Sequence, residues 1–334
     1  MDLPTLWFVI VAYLFAGFLF LEGFDYGVGM LLPFLSREDE HRRMILSSIG
    51  GVWDGNEVWM VSAGAVLFAS FPAWYATLFS SLYMIFTLIL CGLILRGIGL
   101  KFRNLREDRF WRSTWDWMIC LGSFTAAFFW GVVVGDLLQG VPINDQMVFI
   151  GGMKDVFTPF SLVTALAVVV LFLLHGAVYL NIKVSGDVLK RVERVLPVVF
   201  FIALIMAAGL LLFGSLKLGM MHTAVEMTFA GLAVVALALC GVSLLRKASL
   251  AAFWTSGATI ILVGGLVFTH LYPRVLISTL DPRWTLTIYN SSSSPYALKV
   301  MSIVALFFIP TTLLYQGWTY WILRKRVEHS DLNY

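Results

Sequence analysis

Nine long runs of mostly apolar residues, separated by short polar loops, are the feature that most constrains this chain of 334 residues. A helix needs about 20 such residues to cross the ~30 Å hydrocarbon core of a bilayer. The runs therefore predict an all-α integral membrane protein with about nine transmembrane helices. They occupy residues 7–32, 52–70, 75–95, 116–138, 159–182, 196–214, 222–245, 252–272 and 298–323.

Composition supports the same class. Hydrophobic residues make up 60% of the chain and charged residues 13%, whereas soluble domains carry about 25% charged residues. The first apolar run is too long for a signal peptide and is interpreted as a retained span. The three cysteines, Cys91, Cys120 and Cys240, form no C-x-x-C motif, so the pattern indicates neither a disulfide framework nor a zinc site.

Lysine and arginine residues are distributed unevenly between alternate loops. Eighteen of the 23 follow the first, third, fifth, seventh and ninth runs, and five lie in the other loops. The eighteen include Arg96, which is counted as a loop residue. Because basic loops stay on the cytoplasmic side, the bias predicts an outside N-terminus and a cytoplasmic C-terminus.

The predicted spans divide around the central outer loop. We expect one polytopic membrane domain over 1–334, with a first four-helix bundle over 1–140, a second over 155–275 and a ninth helix over 296–326. This division follows from the number of spans alone, because the sequence contains no evident internal repeat.

The segment GGVWDGNEVW at 50–59 opens the second run with two acids, Asp54 and Glu57. At ~3.6 residues per turn, both carboxylates fall on one helical face at the mouth of an apolar segment. A carboxylate at mid-membrane costs ~2.5–3.5 kcal/mol, so such groups face protein or water and often carry protons. The alternative is an acid favoured by the helix dipole. We assign structural or interface roles to the neighbours Trp53, Asn56 and Trp59.

The first run carries a second pair of acids, Glu22 and Asp25, in its predicted inner half. The four acids are therefore expected to converge at a similar depth near the cytoplasmic surface. Gly23 and Gly27 form a G-x-x-x-G motif, which lets a neighbouring helix approach closely. Ordinary helix packing is the favoured interpretation of that motif.

Three histidines lie in or beside apolar runs, and each is better explained as a structural residue than as a haem ligand. His175 falls in an inner half, whereas His222 and His270 fall near the outside, where a bis-histidine pair is geometrically conceivable. We predict that this chain binds neither haem nor metal.

Several stretches together resemble subunit II of the cytochrome bd-type quinol oxidases, including the cyanide-insensitive branch. The resemblance extends over the whole chain, and WDGNEVW and GFDYGVGM are its most specific parts. The stretches are EGFDYGVGML at 22–31, WDGNEVWMVSAGAVLFASFP at 53–72, WDWMICLGSF at 115–124, GDLLQGVPIN at 135–144 and WTLTIYNSSSSPYALKVM at 284–301.

The resemblance implies a heterodimeric enzyme of the bacterial cell membrane that oxidises a membrane quinol and reduces dioxygen to water. Its subunit I holds two haem b and usually one haem d, and subunit II ligates none. Asp25 and Asp54 stand at the family's proton-route positions. Glu57 stands where many relatives have Gln, and Glu22 where some have Asp. The resemblance leaves room for a small single-helix subunit and for a structural quinone or lipid.

Two other functions remain open from the residues. A proton-coupled secondary transporter would use the same acids, but would place Gly- or Pro-broken helices at corresponding midplane positions in its two halves. The candidate glycines lie near one surface and in one half of the chain. A scaffold subunit without functional acids is the third hypothesis.

Overall fold

The structure, a computed structural model, describes residues 2–327. Twelve helices account for most of this part of the chain, with 3-10 turns at Arg103–Leu105 and Pro282–Trp284. The helices are α1 (Leu3–Leu35), α2 (Asp39–Gly50), α3 (Trp53–Ser70), α4 (Pro72–Ser81), α5 (Tyr83–Phe102), α6 (Arg109–Gln139), α7 (Met153–Val156), α8 (Pro159–Lys183), α9 (Gly186–Leu218), α10 (Ala224–Leu245), α11 (Ser249–Leu271) and α12 (Pro295–Ile322). The strands are β1 (Arg274–Leu276) and β2 (Leu286–Thr287), which pair antiparallel.

The all-α membrane fold predicted from the apolar runs is confirmed. Eight of the described helices are long and apolar enough to cross a membrane, and each corresponds to one of the nine predicted spans. The remaining span, 52–70, forms the 18-residue helix α3. Asp54, Asn56 and Glu57 make its first turn and a half polar, so its 18 residues are less apolar than the most apolar 18-residue stretch of each of the other eight helices.

The third predicted span, 75–95, differs from the structure in its bounds. A break at Leu82 divides this segment into α4 and α5, and α5 continues to Phe102. The predicted end at 95 was therefore wrong, and Arg96 lies inside a helix rather than in a loop. Glycines at 92, 97 and 99 lower the mean apolarity of this stretch without interrupting the helix.

Helix α1 lies at the centre of the bundle and packs against α3, α6, α8 and α11. The crossing with α8 is the closest, because a Cβ on Gly27 would lie 2.9 Å from the Gly176 Cα and would also collide with the Phe172 carbonyl. A Cβ on Gly23 would touch the Phe172 ring at 2.8 Å. The G-x-x-x-G motif is thus the site of close helix packing. One core includes residues from both predicted bundles, and their division stays a prediction.

A set of ion pairs ties the loops together at one end of the bundle, which we call the arginine-rich end because it carries Arg42, Arg103 and Arg112. Buried Asp116 accepts from Arg42 Nη1 at 2.7 Å and from Arg103 Nε at 2.6 Å. Asp39 binds both Arg103 and Arg112. These contacts join the start of α2 to the start of α6. The strands β1 and β2 lie near the opposite end.

Helix α12 lies at the periphery, and only 6% of its most apolar window is buried. Trp7 Nε1 donates to the Leu298 carbonyl at 3.0 Å and fixes the start of α12 to α1. At the arginine-rich end, Lys183 Nζ donates to the Leu323 and Lys325 carbonyls that follow α12. These anchors hold α12 in place while most of its apolar surface faces outward.

Candidate functional site

Two acids of α1 and one arginine of α5 form a fully buried cluster. Glu22, Asp25 and Arg96 each have no solvent exposure. Arg96 Nη1 donates to Glu22 Oε2 at 3.1 Å, and Arg96 Nη2 lies 4.0 Å from Asp25 Oδ2. Glu22 and Asp25 are three positions apart, so a helix directs them to the same side, and there they share one cation.

Arg96 is held between two aromatic rings. Its guanidinium carbon lies 5.1 Å from the centroid of the Tyr26 ring and 5.6 Å from that of Trp53. Cation–π contacts of this kind stabilise a desolvated cation by about 2 kcal/mol. Buried Trp53 therefore packs directly beside the cluster, and its structural or interface role stays a prediction.

Asn56 connects the cluster to α12. Its Nδ2 donates to Asp25 Oδ2 at 2.7 Å, while its Oδ1 accepts from Tyr320 OH at 2.7 Å and from Gln316 Nε2 at 3.0 Å. This amide orientation, with its NH₂ group toward Asp25, satisfies all three partners at once. The side chains of α1, α3 and α12 thereby form one hydrogen-bonded chain.

The two acids of α3 lie at the edge of this cluster. Glu57 is half-buried and lies within electrostatic range of Glu22, Asp25 and Arg96. Asp54 is exposed and lies within electrostatic range of Glu57. The four acids thus form a graded series, from exposed Asp54 through Glu57 to the buried pair.

Trp59 packs away from the acids, against α1. Its ring fills the space beside Gly17 and makes an edge contact with Tyr13 at 5.8 Å between centroids. Trp59 is 7% exposed, so it belongs to the α1–α3 interface rather than to a lipid-facing belt.

The three histidines named above are engaged in hydrogen bonds or lie at the surface. His175 is buried, with Nδ1 2.8 Å from Ser256 Oγ and Nε2 3.2 Å from the Phe20 carbonyl. His270 Nδ1 lies 2.8 Å from Glu226 Oε1. His222 is exposed and reaches the same carboxylate only through its backbone N–H. Within residues 2–327, no group of three or more His, Cys, Asp or Glu side chains is arranged to hold a metal ion.

A large apolar cavity of about 990 Å³ lies between α3 and the α4–α5 segment. Its walls include Met60, Phe68 and Phe86. Two indole N–H groups in its lining, Trp74 Nε1 and Trp130 Nε1, are buried and make no hydrogen bond to a described residue. The walls of the cavity are therefore apolar, and the two indole N–H groups lie beneath its surface.

Sequence reasoning missed Arg96, Gln316 and Tyr320 as members of the site. Arg96 gave a usable signal, because it follows the apolar run YMIFTLILCGLIL and precedes GIGL, where a cation is costly. Gln316 and Tyr320 gave none, since a single amide or phenol in a long apolar helix is common and its partner is unknown.

Comparison with known proteins places this chain in a family. Residues 3–323 match the family described as cytochrome bd terminal oxidase subunit II. The chain is 36% identical to cytochrome bd ubiquinol oxidase subunit 2 of Bacillus subtilis, covering 99% of this chain and 98% of the relative. It is 33% identical to cytochrome bd-I ubiquinol oxidase subunit 2 of Escherichia coli K12, over 99% and 96%. The chain belongs to the subunit II family of cytochrome bd terminal oxidases, and the resemblance is confirmed.

The fold has a counterpart among solved structures. A chain of the bd oxidase from Geobacillus thermodenitrificans superposes with a TM-score of 0.75 at 18% identity, covering 94% of this chain and 98% of the other. At this identity the likeness supports the fold, which is that of a multi-pass membrane protein.

Proposed function

We propose that this chain is the haem-free subunit of a membrane quinol:oxygen oxidoreductase and supplies part of its proton-uptake route from the cytoplasm. The observation that carries the proposal is the buried Glu22–Asp25–Arg96 cluster, with half-buried Glu57 in electrostatic range of it and exposed Asp54 in electrostatic range of Glu57. Reduction of dioxygen to water consumes protons, and carboxylates at graded depth provide successive proton acceptors. The order of transfer is Asp54, Glu57, then Glu22 and Asp25.

The arginine-rich end is the cytoplasmic end in this proposal. Its loops carry the basic residues that favour the cytoplasmic side, and the acids lie in the parts of α1 and α3 nearest to it. The N-terminus is then outside. Proton entry at Asp54 follows, because it is the exposed member of the series.

The partner is the haem-carrying subunit I, and we place it against the outward faces of α3 and α12. Val58 and Val61 of α3 and Leu314 and Trp318 of α12 are exposed apolar side chains that a membrane partner would cover. In this proposal Asp54 lies at the cytoplasmic edge of the interface and stays in contact with water, because a carboxylate beside apolar surface in a membrane is otherwise costly.

The cofactors of the assembled enzyme are two haem b and usually one haem d in subunit I, with none ligated by this chain. The cavity beside α3, with its apolar walls and a volume of about 990 Å³, would hold the apolar part of a structural quinone or lipid. A small single-helix subunit completes the expected assembly. When bound, the haems supply the redox chemistry, while this chain moves protons at its carboxyl oxygens.

Replacement of Asp54 by asparagine tests the route. Asp54→Asn keeps the size of the side chain but removes the exchangeable proton, so quinol-driven oxygen uptake should fall about tenfold or more. Asp25→Asn should act alike, and the double variant should be much less than additive because both acids lie on one path. Oxygen-electrode turnover per intact complex measures these effects, with haem content as the assembly check.

The matched control is Asp281→Asn, which removes an acid at the opposite end of the bundle that pairs with exposed Arg283. Its turnover should equal that of the unmodified enzyme. Normal turnover of a well-assembled Asp54→Asn enzyme across a range of pH would remove Asp54 from the route. Poor assembly with near-normal turnover would instead indicate a packing role.

Purification separates the three hypotheses. The oxidase is supported if a haem-rich partner of similar size co-purifies and the complex gives a reduced-minus-oxidised haem spectrum. Lipid extraction of the same preparation identifies what occupies the cavity. Recovery of no quinone or lipid would refute the cavity assignment. Solute flux by the chain alone would favour the transporter, whereas a partner-bound chain whose acids can all be replaced without effect would favour the scaffold.

A further inference from the structure

The buried cluster contains two carboxyl groups and one guanidinium. Glu22, Asp25 and Arg96 are all fully buried, so if both acids were ionised one negative charge would remain uncompensated. An isolated ion in a low-dielectric interior is so costly that the group neutralises instead. The charge balance therefore favours one bound proton in the cluster.

Each acid has one hydrogen-bond donor, but the donors differ: Arg96 bonds to Glu22, whereas a neutral amide bonds to Asp25. Glu22 Oε2 accepts from Arg96 Nη1 at 3.1 Å, and Asp25 Oδ2 accepts from Asn56 Nδ2 at 2.7 Å with Arg96 Nη2 at 4.0 Å. Each carboxyl group thus has one oxygen occupied by a donor. Neither acid has the bidentate arginine contact that would fix it as the ionised partner.

The other oxygen of each acid is available. Glu22 Oε1 and Asp25 Oδ1 are buried and make no hydrogen bond to any residue among 2–327, and the same holds for Tyr26 OH and for Arg96 Nε and Nη2. Tyr26 OH nevertheless lies close enough to Glu22 to interact with its carboxyl group. A carboxyl oxygen that accepts from no strong donor is the oxygen on which a bound proton sits, so each acid has an oxygen able to hold one.

We infer that Glu22 and Asp25 store one proton in common, with Arg96 as its fixed counter-ion. This inference rests on the proposed route and names the site where that route holds a proton between deliveries. Arg96 acts as a positioning residue here, because it sets the charge of the pair without accepting a proton itself.

The groups that face the cluster are consistent with this role. From α3, Glu57 adds negative charge at the edge. From α5, the Lys101 ammonium lies 5.6 Å from the centroid of the Trp53 ring. The remaining facing groups are the hydroxyls of Tyr26, Tyr179 and Tyr320.

Infrared difference spectroscopy of the assembled oxidase tests the inference through the carbonyl stretch of a protonated carboxylic acid near neutral pH. Either Glu22→Gln or Asp25→Asn leaves one acid opposite Arg96, which is a balanced ion pair, so each single variant should lose the signal completely. Both variants lower the buried charge and should assemble. Loss of the same signal in both variants shows that the bound proton requires both acids of the pair.

Arg96 variants test the counter-ion. Arg96→Lys keeps the charge and should keep the signal. Arg96→Met leaves two buried carboxyls without a cation, so both should bind protons and the signal should rise about twofold. If Arg96→Met fails to assemble, the two acid variants still decide the question.

The matched control is Asp136→Asn, because Asp136 is also buried with a carboxyl oxygen that lacks a partner in the described chain. Any carbonyl band lost in this variant belongs to Asp136, and the band of the Glu22–Asp25 pair should remain. Persistence of the cluster signal in either acid variant, or its absence from the unmodified oxidase, would overturn storage by the pair. That result is separate from normal turnover in Asp54→Asn, which would overturn the route itself.

Discussion

Arg96 shows how one residue changes the chemistry of a site. Two carboxylates side by side in an apolar helix would repel each other and resist burial, but Arg96 places a cation 3.1 Å from Glu22 and 4.0 Å from Asp25. The cluster is then close to neutral and can change its charge by a single proton. Its buried position was not evident from the loop assignment made on the sequence.

The histidines provide a prediction at the same scale. Single replacement of His175, His222 or His270 by asparagine should leave the haem content of the complex unchanged. Both ring nitrogens of His175 already lie within hydrogen-bond distance of protein oxygens, and His270 is bound to Glu226. Pyridine haemochrome analysis per mole of purified complex measures the result.

Assembly must be controlled in that experiment, because His175 packs among Phe20, Phe24 and Phe253. Haem is therefore compared only in complexes that retain both subunits on gel filtration. A folded, assembled variant that lacks one haem would show that this chain ligates iron.

At the scale of elements, the crossing of α1 and α8 positions the acid pair. Gly27 and Gly176 face each other so closely that a Cβ on Gly176 would lie 2.6 Å from the Gly27 Cα. The close approach fixes the rotation of α1, and with it the side toward which Glu22 and Asp25 point. The G-x-x-x-G motif therefore serves the site through packing.

Gly27→Ala should separate α1 from α8 and destabilise the protein by about 1–3 kcal/mol, the usual cost of overpacking. The melting temperature of the assembled complex, followed by scanning fluorimetry, should fall by several degrees. Oxygen uptake should fall with it, because the acids are displaced from Arg96.

The control is Gly231→Ala on α10, where a Cβ would meet no atom within 4 Å. Alanine is the better helix former by about 0.5–1 kcal/mol, so this variant should melt at the same or a slightly higher temperature. An equal fall in both variants would mean that the α1–α8 contact is not responsible.

At the scale of the whole molecule, orientation decides which side supplies protons. The basic loops predict that residue 104 is cytoplasmic and residue 146 is external. In cells that express Asn104→Cys or Gln146→Cys, a membrane-impermeant maleimide should label position 146 and leave 104 unlabelled until the membrane is opened.

Exposed Cys91 would also react with the maleimide. Both variants are therefore made in a chain that carries Cys91→Ser, and that chain without a new cysteine is the control. The reverse labelling pattern would invert the topology. It would also move the entrance at Asp54 to the outer face, and a cytoplasmic uptake route through this chain would then be excluded.

The sequence by itself determined the class of protein, the approximate spans and the acids of the site. These follow from quantities that are local in the chain, namely the length of an apolar run, the charge of a loop and the cost of a carboxylate near lipid. The motifs at 22–31 and 53–72 were also sufficient to indicate the family, which the comparisons confirmed.

Only the tertiary structure decided how the acids are partnered. Arg96 reaches Glu22 across 74 positions, and Tyr320 reaches Asn56 across 264. A membrane helix is apolar on nearly all sides, so its sequence lacks the one-sided stripe that would reveal which face meets protein. The rotation of each helix is set by contacts such as Gly27 against Gly176, where the fit of two backbones determines which side chains meet.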